Sequence, residues 1–210
     1  FDEERGFSPI LGRTLLAQAG PLNEKQRDFV SRILGATQTM TELIQNMMAL
    51  AQMDLEATKK YTSIEMGKIL AEMAHEFTPQ AQLKEQTFSF TPLAASAHVN
   101  GDPMQMHQLF RNLIGNAIKY SPKGSTIILA AKVEKRNIQV NVQDTGFGIP
   151  AADLPFIFDR FYRVRNGKNS EMEGNGLGLA IVKSVVEQHG GKISVESEVN
   201  KGTCFTLSLP

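Results

Sequence analysis

Residues 23–57 contain no proline and one glycine, Gly35, and their apolar positions recur at helical spacing. Phe29, Ile33, Ala36, Met40, Leu43, Met47 and Leu50 follow alternating steps of four and three, which is a heptad stripe. A second stripe, Val30, Leu34, Thr37, Ile44, Met48 and Ala51, runs beside it. A helix with two adjacent apolar stripes requires more than one neighbour, and this predicts a four-helix bundle. Asn23 stands where an N-cap belongs, with Gln26 three residues on as the reciprocal partner of a capping box. Upstream, Gly20-Pro21 separates this helix from a shorter apolar-rich one over residues 7–19. A hairpin supplies two helices, so the bundle is expected to close as a homodimer; an intramolecular packing helix is the plainer alternative. Met40, Met47 and Met48 fill core space on either reading.

After Lys59-Lys60 the periodicity changes. Residues 64–84 read as a helix, 87–90 as a short strand, and Val99 as part of another that ends at Gly101-Asp102-Pro103. Asp102 is placed to cap a helix that starts at Pro103, carries Met106, Leu109, Leu113, Ile114, Ala117 and Ile118 on one face, and ends before Pro122. Residues 126–133 and 137–143 alternate as paired strands; 179–189 is a helix stopped by Gly190-Gly191; 193–197 and 204–209 are closing strands. The fold class is therefore α+β: a helical hairpin over 1–60, then a domain over 61–210 whose helices cover one face of a largely antiparallel sheet.

Charge adds an exclusion. Lysines and arginines number 22, as do the acids, so nothing marks a nucleic-acid or acidic-membrane surface. The single cysteine, Cys204, alternates with strand residues and is expected to be a buried structural thiol. No apolar stretch is long enough to span a bilayer, and no signal peptide is visible. The chain starts at Phe1 inside an apparent helix, which suggests a cytoplasmic fragment with a sensor or membrane anchor upstream.

The chemistry concentrates in the last hundred residues, as four boxes in fixed order. They are Asn112-Leu113-Ile114-Gly115-Asn116-Ala117-Ile118-Lys119-Tyr120, then Asp144-Thr145-Gly146-Phe147-Gly148, then Phe156-Ile157-Phe158-Asp159-Arg160-Phe161, then Gly174-Asn175-Gly176-Leu177-Gly178-Leu179. Asn112 and Asn116 share a helix face with Lys119 nearby, and amide oxygens plus an ammonium suit a Mg²⁺–phosphate site. Alone, the pair would read as surface asparagines. Asp144 can accept from an exocyclic amine such as that of adenine, while the glycines after it let a base approach the main chain; alone it would read as a strand-end turn. Gly174, Gly176 and Gly178 precede a helix whose free N–H groups favour phosphate. Arg160, Arg163, Arg165 and Lys168 lie between, in a stretch that suits a lid over a γ-phosphate.

In this order the boxes resemble the N, first glycine, F and second glycine boxes of sensor histidine kinases, whose GHKL-type ATP-binding domain is an α/β sandwich shared with gyrase, heat-shock chaperones and mismatch-repair proteins. His189-Gly190-Gly191-Lys192-Ile193 and Gly202-Thr203-Cys204-Phe205 look like the closing strands of that family, and Gly20-Pro21-Leu22-Asn23-Glu24-Lys25-Gln26-Arg27 is typical of its hairpin. The resemblance implies ATP and Mg²⁺ as cofactors, with Asn116 on the metal, Lys119 on phosphate, Tyr120 beside the base and Asp144 reading adenine. It also implies a pocket shaped by Gly146, Gly148, Gly174, Gly176, Leu177 and Gly178, and Arg163 at the γ-phosphate. A response-regulator receiver domain is the implied partner. Hydrolytic members resemble each other in carrying a glutamate four residues before the magnesium asparagine, as general base. Asn112 stands there instead, so transfer is expected over hydrolysis.

The acceptor is the weak point. The family's histidine run should fall at residues 1–7, where Phe1-Asp2-Glu3-Glu4-Arg5-Gly6-Phe7 contains no histidine and no proline, Pro9 standing a little later. His75-Glu76-Phe77-Thr78-Pro79 imitates the run but follows the long helix. His98, His107 and His189 read as structural. The leading expectation is a protein-histidine kinase catalytic region. The alternative is a pseudokinase, a dimeric ATP-binding module without its own acceptor.

Overall fold

The computed structural model describes residues 23–54, 61–135, 137–164 and 174–210. The expected helix over 7–19, the break at Gly20-Pro21, the segment 1–7 searched for an acceptor, and Arg165 and Lys168 lie outside the described residues. The chain divides into two compact units between Gln45 and Asn46.

The helix α1 (Glu24–Asp54), which starts in the first unit and runs past this division, begins as its sequence specifies. The Gln26 N–H donates to Asn23 Oδ1 at 2.9 Å, and the Asn23 N–H donates to Gln26 Oε1 at 3.1 Å, so two orphan donors are satisfied reciprocally. Phe29, Ile33 and Met40 on the heptad stripe and Ile44 beside it are exposed, each by more than half of its surface.

The second unit is built on two sheets. In the small one, β1 (Thr62–Glu65) pairs antiparallel with β3 (His98–Gly101), Ile64 opposite Val99. The large one has five strands in the order β2-β4-β5-β7-β6, formed by β2 (Thr87–Thr91), β4 (Thr126–Glu134), β5 (Asn137–Asp144), β6 (Lys192–Glu198) and β7 (Gly202–Leu209). Only β2–β4 is parallel, as expected for a connection that passes through a helix. Along β5, Ile138, Val140 and Val142 are buried and Asn137 and Gln143 exposed, so alternation packs one face against the helices.

Three helices supply the other layer: α2 (Met66–Leu83), α3 (Pro103–Lys119) and α4 (Gly178–Gln188). All six apolar positions read for α3 are buried, and Phe110 joins them. Asp102 caps α3 by accepting the Met104 N–H at 2.8 Å, with Pro103 in the first turn. Buried Gln86 closes the other end, its Nε2 donating to the carbonyls of Ile118 (3.0 Å) and Ser121 (2.6 Å). β1 is the element the pattern did not reveal: at four residues, TSIE, it is too short to show an alternation.

One expectation needs correction, and one becomes more specific. Cys204 is only half-buried: Phe205 and Leu207 take the inward face of β7, and period two turns Cys204 outward beside Thr206. Burial still pushes its thiol up, away from reactivity. His189 is structural, as read, but neutral. Its Nε2 accepts the Asp102 N–H at 3.1 Å, so the proton sits on Nδ1, 2.7 Å from the Val185 carbonyl. The ring stacks on Tyr61, whose hydroxyl donates to the Gln188 carbonyl at 3.0 Å, and so ties the start of α3 to the end of α4.

Candidate functional site

The last turns of α3 carry the first box. Asn112 and Asn116 lie one turn apart and half-buried, and the Asn112 Nδ2 is buried with no hydrogen-bond partner. Its Oδ1 faces the first turn of α4, where a Cβ on Gly178 would lie 3.2 Å away. A Cβ on Gly174 would sit 2.9 Å from Lys119 Nζ and 3.7 Å from the Tyr120 hydroxyl. Glycine therefore lets the second glycine box close on the first without displacing the amide or the ammonium. Lys119 Nζ also lies 5.4 Å from the Tyr120 ring centroid.

Asp144 ends β5 and turns its side chain inward, 7% exposed. The Gly146 N–H donates to its Oδ1 at 2.8 Å. Burial raises its pKa to about 6, against the pull of the Gly146 and Thr203 N–H groups. The loop beyond is fixed on both sides: the Phe147 N–H donates to the Tyr120 carbonyl at 3.1 Å, and the Asn200 N–H to the Phe147 carbonyl at 2.8 Å. Gly148 adopts φ +68°, and a Cβ there would enter the Glu198 carbonyl.

The third box is a turn, with Leu154–Phe156 as a short 3₁₀ helix, Ile157 buried, and Phe158 edge-on to Phe205 at 6.3 Å. Its last residue, Phe161, takes φ +65° and donates its N–H to the Gly176 carbonyl at 2.9 Å. Gly176 is also left-handed, at φ +70°, and a Cβ there would meet the Phe161 carbonyl carbon at 2.7 Å. The Leu177 side chain is fully buried, and its N–H donates to Asn175 Oδ1 at 3.1 Å. Arg163 is close enough for its charge to lower the Tyr120 phenol, although burial dominates and holds that phenol above its ordinary range.

All four boxes thus touch: α3 meets the aspartate loop at Tyr120–Phe147, the α4 entry at Asn112–Gly178 and Lys119–Gly174, and the F-box turn joins that entry at Phe161–Gly176. Sequence reasoning missed Thr203, Ser197 and Ser121. Thr203 lies directly across the ladder from Asp144, and Ser197 directly across from Thr203, a row that only strand register reveals. Ser121 Oγ is buried without a partner beside Gly146. His75 is exposed, and the neighbouring Glu76 is held by Arg111 at 2.9 Å.

The donor set suits magnesium as a shared ion. Asn116 would offer a neutral amide oxygen and leave the other positions to phosphate and water, while the orphaned Asn112 nitrogen is a donor for an acceptor such as a phosphate oxygen. Among the described residues no group of three or more His, Cys, Asp or Glu could hold a metal ion. No described helix is long and apolar enough to cross a membrane.

The sequence model of the "Histidine kinase-, DNA gyrase B-, and HSP90-like ATPase" family matches residues 101–210, the stretch that carries all four boxes. The sensor histidine kinase CusS of Escherichia coli O6:H1 is 32% identical over 207 residues, 96% of this chain and 42% of CusS. The chain therefore spans less than half the length of that relative. The solved mycobacterial sensor histidine kinase MprB is 27% identical with a TM-score of 0.61, covering 71% of this chain and 97% of that one. Histidine kinase ThkA, solved in complex with the response regulator TrrA, shares the fold at 21% identity, with a TM-score of 0.70 over 96% of this chain and 56% of that one. The chain belongs to the histidine kinase-, DNA gyrase B- and HSP90-like ATPase family.

Proposed function

We propose that the chain is the catalytic region of a two-component sensor, in which residues 61–210 bind ATP and donate its γ-phosphoryl group to a histidine, for onward transfer to a response-regulator aspartate. Residues 1–60 would form the dimerisation and phosphotransfer hairpin, although no histidine stands among them. The observation that carries this reading is Asn112: an uncharged amide occupies the position of a hydrolytic base, with a buried nitrogen that lacks a partner within the protein.

On this reading Asp144 accepts the adenine amine, and Gly146 and Gly148 let the base lie against main chain. Tyr120 flanks the base. The free N–H groups in the first turn of α4, Gly178 onward, take phosphate oxygens, with Gly174 and Gly176 shaping the approach and Leu177 holding the turn from the core. Lys119 neutralises phosphate charge, and Asn116 holds Mg²⁺, which would screen the phosphates and orient the γ-group. Asn112 donates its spare N–H toward the phosphate side, and Arg163 adds positive charge where charge develops in transfer. The position of a hydrolytic base holds Asn112, an amide that takes up no proton from water, so the group goes to a protein nucleophile.

The pseudokinase alternative rests on one observation: the first histidine in the sequence is His75, after the hairpin. Incubation with labelled ATP separates the two. The kinase predicts acid-labile, base-stable label on a version carrying its upstream sequence; the pseudokinase predicts nucleotide binding without label. Absence of binding at millimolar ATP would end both readings. The homodimer is supported by the exposed apolar stripe of α1, and the receiver partner by the likeness to histidine kinases.

A further inference from the structure

Beside Asp144 a hydrogen-bonded row crosses three strands. Ser197 on β6 lies opposite Thr203 on β7, and Thr203 lies opposite Asp144 on β5. Directly opposed residues in an antiparallel ladder project to one face, here the face toward the helices, where Asp144 and Thr203 are each 7% exposed. The Ser197 Oγ has three neighbours: the Ile149 N–H at 2.8 Å, the Gly202 carbonyl at 2.9 Å and the Thr203 Oγ1 at 2.9 Å.

A serine hydroxyl has one hydrogen and two lone pairs. The Ile149 N–H can only donate, so it takes one lone pair. The Gly202 carbonyl can only accept, so it takes the hydrogen. One lone pair remains, and Thr203 satisfies it only by donating its own hydroxyl hydrogen. Every partner of Ser197 is then used once. Thr203 Oγ1 is left with lone pairs alone, beside a carboxylate that, when ionised, is also purely an acceptor.

We propose that Ser197 is a positioning residue that sets nucleotide specificity: by drawing off the Thr203 hydrogen it makes the Asp144–Thr203 corner an all-acceptor surface, matched to a 6-aminopurine and opposed to a 6-oxopurine. An exocyclic amine brings two N–H donors to this corner. A 6-carbonyl brings only lone pairs, and closing it in would leave acceptors facing acceptors with no proton between them. Discrimination thus depends on where one hydrogen points, and Ser197 fixes that hydrogen without touching the base. In Ser197→Ala the Thr203 hydroxyl is free to rotate and donate to a carbonyl. The same substitution orphans the Ile149 N–H and loosens the loop for every nucleotide, so affinity alone is uninformative. The ratio of affinities reports the polarity.

This inference rests on the ATP-binding reading above, and its test separates the two. Dissociation constants for ATP and inosine triphosphate, which has a carbonyl at the 6-position and a hydrogen on N1, are measured by calorimetry on the 210-residue chain. The wild type is expected to prefer ATP, and Ser197→Ala to lower that preference about fivefold to tenfold, the worth of one hydrogen bond. Ser197→Thr, which keeps the hydroxyl, is expected to restore it. Should Ser197→Ala fail to fold, Thr203→Val deletes the hydroxyl at issue and is expected to lower the same ratio. Equal loss of both nucleotides with the ratio unchanged would overturn the inference and leave ATP binding standing. Binding of neither nucleotide by the wild type would overturn both.

Discussion

Asp144 ends its strand as a carboxyl drawn into the protein, and its titration follows from that. Because burial lifts its pKa from 3.8 to about 6, the folded protein holds a proton there that the unfolded chain has lost between those values. Stability without nucleotide is therefore expected to fall as pH rises from about 4 to 6 and then level. Binding runs the other way: an amine needs the ionised acceptor, so affinity for ATP is expected to drop as pH falls below about 6. Urea titrations and calorimetry across pH 4–8 check both, and Asp144→Asn should flatten both profiles and weaken ATP by at least about tenfold. Part of this residue's role is legible in sequence, since an aspartate between a strand and two glycines suggests a turn that can meet a base. Its burial and its threonine neighbour are not, because both arise from β7, some sixty positions later.

Elements here are held at their ends. The cap of α3 is local and was readable from Gly101-Asp102-Pro103; Asp102→Ala should cost about 1 kcal/mol in thermal or urea unfolding. The tie from His189 to the Asp102 N–H is not local, and a Cβ on Gly101 would come within 2.5 Å of that ring. The aspartate loop depends on the β6–β7 turn in the same way. Gly148→Ala combines φ +68° with a collision at the Glu198 carbonyl, so it should cost at least about 1–3 kcal/mol and reduce nucleotide binding together with stability. Chemical unfolding of that variant, with ATP titration under native conditions, measures both.

For the molecule as a whole, α1 presents apolar side chains that a solitary helix has no means of burying: Phe29 is 68% exposed and Met40 65%. Burying such a stripe is favourable by about 25 cal/mol per Å² of apolar surface, which would drive the proposed dimer. Phe29→Glu with Met40→Glu is expected to shift the chain toward monomer in sedimentation velocity while leaving ATP affinity within about twofold, since the boxes lie beyond residue 100. A dimer unaffected by both charges would remove this stripe as its interface.

The sequence by itself determined the elements whose cause is local. Periodicity gave α1, α3, α4 and the long strands, capping residues gave the starts of α1 and α3, and the order of four boxes gave the family. It also determined the absence of a hydrolytic glutamate, because one position suffices to read it. Only tertiary structure decided what depends on register and approach: the Ser197–Thr203–Asp144 row, the neutral His189, the outward turn of Cys204 and the contacts that bring the boxes together. Helix and strand periods act over a few residues and are written in neighbours. Hydrogen-bond polarity and burial are set by partners that the chain supplies from far along its length.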